Sequence, residues 1–156
     1  MPSSLTCAKI TLAVKNLIKG GEGVTSEQIR ALCLQKPGAY LDFPFGMDVA
    51  CVKVKKRIFA QLFCLKGEPK ATFNCDRATG LFYRSVYPNA VARGYHCPPV
   101  QQPYFNTVSL DGAVPDEEIE RMIDHSYAVV VGKLPRYVQK ELCSNDSEND
   151  QSPGTR

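Results

Sequence analysis

Between residues 49 and 75 the chain reads VACVKVKKRIFAQLFCLKGEPKATFNC, and it reverses direction twice. Residues 49–54 alternate apolar with other side chains, and residues 57–65 do so again around Phe59 and Leu62. Only Lys55-Lys56 separates the two runs. A connection of two residues joins antiparallel neighbours, because a parallel pair needs a crossover of about a dozen residues or more. Gly67-Glu68-Pro69 marks a second turn, and residues 71–75 read as a third strand. An antiparallel sheet is therefore the first constraint on the fold. The first turn carries a cost, since two-residue hairpin turns hold their central residues at positive φ and favour Gly or Asn. A Lys pair there predicts backbone strain.

Helix signals flank these strands. Residues 5–19 space Ile10, Ala13, Val14, Leu17 and Ile18 along one face opposite lysines, and Gly20-Gly21-Glu22-Gly23 then breaks the pattern. Residues 1–24 thus read as an extension, an amphipathic helix with a glycine linker. With no preceding strand and no following Gly-Lys-Ser/Thr, the glycines form no phosphate cradle. Thr25 to Gln28 fits a capping box opening a helix with Ile29, Leu32 and Cys33 on one side, which ends near Lys36 before Pro37-Gly38. Tyr40, Phe43, Pro44, Phe45 and Gly46 make an ordered aromatic loop. Asp76 caps a helix running to about Val86, with Gly80 as its weak point. A Pro-rich connection over residues 89–104 precedes a strand at 105–110 and a turn at Asp111-Gly112. Pro115 with Asp116, Glu117 and Glu118 starts a helix burying Ile119, Met122, Ile123, Tyr127 and Val130. Leu134-Pro135 interrupts it, a short turn follows to Leu142, and the polar, acidic residues 144–156 read as disordered. The result is a single α+β domain over residues 25–143, helices packed on an antiparallel sheet.

Composition narrows the function. At 44% hydrophobic and 22% charged residues the chain has the balance of an ordinary globular protein. No apolar run approaches the roughly 18 residues of a membrane span. Seven irregularly spaced cysteines without a C-x-x-C, and two histidines, match no zinc pattern. The expectation is a reduced, cytoplasmic protein with no membrane association, metal or cofactor. Charge is uneven: residues 30–110 hold eleven bases against four acids, and residues 111–150 ten acids against four bases. Such polarity offers one face to an anion if it becomes spatial.

Catalytic constellations are weak. Asp124-His125-Ser126 sits on one helix, where consecutive side chains diverge by about 100° and cannot converge as a triad. His96 has no nucleophile or paired carboxylate near it in sequence, and Glu117, Glu118 and Glu120 suit a helix start. The chain reads as non-enzymatic. Lys55, Lys56 and Arg57 crowd one hairpin tip, where positive charge suits phosphates, and Tyr95, Tyr104 and Phe105 are candidates for stacking.

Five strings in order, LQKPGAY, FPFGMDVACVKVKKRIFAQL, GYH, FNTVSLDGAVPDEEIERMIDHSY and KLP, make the chain resemble the MmcQ/YjbR family. The resemblance implies a CyaY-like α+β fold and a double-wing arrangement labelled DNA-binding. The wings would be the hairpin at residues 53–57 and the segment at 95–106. Where the family has basic residues and a Trp after GYH, this chain has an uncharged connector and Phe105, and its hairpin turn has Lys55-Lys56 where glycine is usual. The function expected is weak DNA binding without sequence preference, since no helix is rich in Arg, Asn or Gln at groove-reading spacing. Lys53, Lys55, Lys56 and Arg57 would contact phosphates, with Tyr95, His96 and Asn106 as further polar contacts. The alternative is a protein- or small-ligand-binding adaptor using the aromatic loop at residues 40–45 and the Pro-rich connector.

Overall fold

Six strands form one antiparallel sheet in the order β1-β2-β3-β4-β6-β5. They are β1 (Ala39–Asp42), β2 (Ala50–Val54), β3 (Arg57–Leu65), β4 (Glu68–Asn74), β5 (Val91–Arg93) and β6 (Phe105–Ser109). The helices are α1 (Ser26–Leu34), α2 (Arg77–Val86), α3 (Asp116–Gly132) and α4 (Arg136–Asp150). The computed structural model describes residues 24–95 and 97–150, without side chains over 145–150. The expected helix at residues 5–19, its glycine linker, His96 and residues 151–156 lie outside the described residues.

Local chemistry accounts for the element ends. At α1 the Gln28 amide donates to Thr25 Oγ1 (3.2 Å) and the Thr25 amide to Gln28 Oε1 (2.7 Å), a reciprocal cap. Asp76 Oδ1 accepts from the Thr79 amide (2.7 Å) and starts α2. Gly80 is no defect within that helix. A Cβ there would meet Cys75 Sγ at 2.8 Å and the Pro103 carbonyl at 3.1 Å, so the missing side chain lets the connector close onto α2. Lys55 and Lys56 stand at φ 47° and 68°, the left-handed backbone that a two-residue turn demands.

Three elements differ from expectation. β1 lies within what reads as an aromatic loop, and β5 within the Pro-rich connector. Both are short edge strands, formed by pairing with β2 and β6 rather than by any pattern of their own. The third difference is α4, which runs to Asp150 where a turn to Leu142 and a disordered tail from residue 144 are expected. Leu134, Val138 and Leu142 recur every four residues, and Leu142 is buried over Gly38 and Val54. That stripe docks the helix.

Strand register separates the two sheet faces. Ala50, Leu62, Ala71, Val108 and Val91 are successive partners across five strands, and all but the half-buried Ala50 are buried. They share the helix-covered face with Val52, Ala60 and Phe73, against α1, α2 and α3. A bulge interrupts β2–β3 pairing between Val52 and Lys53 and gives β3 an extra residue, Phe59. Its ring packs edge-on to Tyr127 of α3 at 5.4 Å. The fully buried Ser126 bridges the strands here: its Oγ accepts from the Asn74 amide (2.8 Å) and donates to the Phe59 carbonyl.

Ser126→Ala leaves two buried backbone groups without partners, at about 1–3 kcal/mol each. The urea midpoint should fall by the equivalent of about 3 kcal/mol with an unchanged slope; a loss below about 1 kcal/mol contradicts the bridge. The Thr79 amide holds the Asp76 carboxyl below its ordinary value of 3.8, so its contribution is present above that value and lost as pH falls through the lowered one. Asp76→Ala should cost about 1 kcal/mol at neutral pH, typical of a lost N-cap. The difference from wild type should close as pH falls from 3.8 through the lowered value; a gap that persists below that lowered value rules out the charged cap.

Candidate binding face of the sheet

Alternation along each strand sends the other set of side chains away from the helices. One row crosses all six strands through Asp42, Cys51, Gln61, Thr72, Thr107 and Ala92. A second holds Lys53, Ile58, Asn74 and Phe105, and a third Phe63, Lys70 and Ser109. Polar neighbours pair within these rows. Thr72 and Thr107 hydroxyls lie 2.9 Å apart, and Lys70 donates to Ser109 Oγ at 2.6 Å. Two chain segments rise at the rim of this face, the 43–49 loop and the 94–104 connector.

At one end of the face, β3 and β4 part. Their last paired residues are Ala60 and Phe73, after which Asn74 turns to pair with Phe105 of β6. The Asn74 side-chain amide donates to the Ile58 carbonyl (2.7 Å), so neither strand end is left unsatisfied. A cavity of about 370 Å³ opens at this split, lined by Lys56, Arg57, Gln61, Asn74, Phe105 and Lys133 among others. Lys56 and Arg57 come from the β2–β3 hairpin, and Lys133 from the residue that ends α3. None of the three cations has an ion pair among the described residues.

A second cavity, of about 360 Å³, lies between the two rim segments. Phe45 and Val49 of the loop, Gln61 and Phe63 of β3, and Tyr95 and Cys97 of the connector line it. Tyr95 stacks on Phe63, with ring centroids 5.8 Å apart and planes 16° from parallel, and its amide donates to Thr107 Oγ1 (2.9 Å). Gln61 lines both cavities.

The residues expected to contact DNA divide. Lys56 and Arg57 stand at the first cavity and Tyr95 at the second. Lys53 donates to Asp42 Oδ2 at 2.6 Å, a bond that lowers the Asp42 pKa and raises that of Lys53. Lys55 Nζ lies 3.5 Å from Glu141 Oε2 of α4. Asn106 corrects the expectation: it is 2% exposed, accepts from Arg84 Nη1 (2.7 Å) and reaches the Gly80 carbonyl, so it is a packing residue of α2. Asp124, His125 and Ser126 diverge. Asp124 pairs with Lys36, His125 Nε2 accepts the Asp76 amide (3.2 Å), and Ser126 points into the sheet. Asp76 Oδ2 also approaches the His125 ring, at 3.5 Å from Nε2. Sequence reasoning passed over Gln61, Phe63 and Lys133 as site residues. Lys133 stands in the KLP string, yet nothing local to it announces that it lines a cavity with Arg57.

A helix-backed antiparallel sheet with one face left to two rim loops defines the class, a small α+β domain. The chain belongs to the YjbR family, whose family model matches residues 34–129, more than half of its length. It is 25% identical over 119 residues to the uncharacterized protein YjbR of Escherichia coli (strain K12), covering 76% of this chain and 98% of that protein. The uncharacterized protein YbdF of Escherichia coli O157:H7 is 25% identical over 116 residues, covering 74% and 92%. A crystal structure of a Deinococcus radiodurans protein with a DUF419 domain superposes with a TM-score of 0.70 at 27% identity, covering 80% of this chain and 91% of that one. A Pseudomonas syringae protein shares the fold at a TM-score of 0.53 and 17% identity, covering 65% and 95%.

Replacing Lys55-Lys56 by Asn-Gly puts residues that tolerate the left-handed backbone at both turn positions. Stability should rise by about 1 kcal/mol in urea unfolding, and a loss of stability would show that the Lys55–Glu141 contact outweighs the turn strain.

Proposed function

We propose that the chain is a non-catalytic nucleic-acid-binding protein that holds the DNA backbone weakly and without sequence preference. The observation behind this is the cluster of Lys56, Arg57 and Lys133 around one cavity at the β3–β4 split, unpaired among the described residues. Grouped cations without carboxylate partners gain affinity for phosphate through counterion release, which demands charge rather than a special geometry. The hairpin's other two lysines are engaged by Asp42 and Glu141, which moves the proposed contact surface from the hairpin tip to the β3–β4 split. Non-specificity follows from the arrangement of helices. α1, α2 and α3 pack on the opposite face, and among the described residues no base-reading helix accompanies the cluster. The divergent side chains of Asp124, His125 and Ser126 support a role without catalysis. The same open face carries the alternative of a protein- or small-ligand-binding adaptor, through the apolar cavity between its rim loops.

Fluorescence anisotropy with labelled DNA, between about 50 and 200 mM salt, tests the proposal. Changing Lys56, Arg57 and Lys133 together to Gln should weaken binding at least tenfold. The slope of log affinity against log salt should fall by about 0.9 per lost contact on duplex and about 0.7 on single strands. Lys66→Gln, at the β3–β4 turn, should change neither. Absence of binding at the lowest salt, or a triple variant that behaves as wild type, overturns it.

A further inference from the structure

We propose that the strand bound on this face is single-stranded, and that one unpaired base enters the apolar cavity while its neighbouring phosphates lie on Lys56, Arg57 and Lys133. This rests on the nucleic-acid reading above and adds to it the form of the ligand. The two cavities share Gln61, so one ligand can occupy both. Their chemistry differs in the way that the parts of a nucleotide differ. The cationic end suits phosphate. The other end is lined by Phe45, Val49, Phe63, Tyr95 and Cys97 with the neutral Gln61, and none of these described lining residues is charged. A phosphate would be stranded there; a flat, neutral base would not.

The Phe63–Tyr95 pair is a ready stacking surface, its nearly parallel rings fixed by the sheet on one side and by the Tyr95 amide bond to Thr107 on the other. Gln61 stands at the junction with both a donor and an acceptor, so any base edge can be met, which agrees with binding that ignores sequence. Duplex DNA cannot offer a base to this cavity without breaking a pair and a stack, at a cost of a few kcal/mol. Single strands have no pair to break, and the cost is smaller.

Anisotropy with three labelled probes of equal length tests the inference: oligothymidylate, a duplex, and a strand with abasic sites throughout. Oligothymidylate should bind at least about tenfold more tightly than either of the others, in line with the stacking contribution of one base. Phe45→Ala and Tyr95→Ala should each remove about tenfold of the oligothymidylate affinity and leave the abasic strand unaffected. Phe45 is 65% exposed, so its removal tests the cavity without threatening the core. Equal binding of abasic strand and oligothymidylate, or variants with unchanged affinity for oligothymidylate, overturns the base site and leaves backbone binding standing. Free thymidine monophosphate binding as tightly as the strand overturns a strand ligand in favour of a nucleotide. Loss of binding to all three probes overturns both proposals.

Discussion

One buried hydroxyl holds together the part of the molecule on which the rest depends. Ser126 Oγ takes the Asn74 amide and gives its own proton to the Phe59 carbonyl, at the point where β3 and β4 cease to pair. Sheet strands rarely part in an interior, because each freed amide and carbonyl must find another partner. Here the bulge at Phe59 turns a carbonyl toward α3, the helix supplies the hydroxyl, and the Asn74 side chain satisfies Ile58. The strands can then diverge without loss, and their divergence makes the cationic cavity. The same contact ties α3 to this part of the sheet, and Lys133 at its end lines the cavity with Arg57 of a hairpin far away in sequence.

Charge distribution along the chain does not survive folding as a simple polarity. The basic stretch before residue 110 and the acidic stretch after it become interleaved, since α3 and α4 return their carboxylates to the lysines. Asp124 meets Lys36, and Glu141 meets Lys55 once Leu142 has docked over Gly38. Among the described cations without an ion pair, Lys56, Arg57 and Lys133 line one cavity. A positive site of this kind arises by subtraction: of the hairpin cations Lys53, Lys55, Lys56 and Arg57, ion pairing with described residues leaves two, and the fold adds Lys133.

Much of the scaffold was legible from residues alone. Tight turns between alternating runs gave β2, β3 and β4 and their antiparallel sense, and side-chain caps at Thr25 and Asp76 gave the starts of α1 and α2. β1 and β5 were not legible, because strands of four and three residues owe their existence to a neighbour. The site was legible in part. Lys56, Arg57 and Tyr95 could be named from charge and aromatic character, whereas Asn106 was misplaced because a polar residue opening a strand gives no sign that Arg84 and Gly80 will enclose it. Gln61, Phe63 and Lys133 were missed for a related reason: which face a strand residue takes, and which helix end meets which hairpin, are set by register and packing across the whole sheet.

The central claim is that ligand binds on the open sheet face. Amide chemical-shift mapping during titration with a short single-stranded oligonucleotide tests it most directly. The account predicts that the largest perturbations cluster at Arg57, Gln61, Phe63, Thr72, Tyr95, Phe105 and Lys133, with α1 and the outer side of α2 silent. Perturbations centred instead on Lys53, Lys55 and α4, or on the helix-covered side, would contradict it.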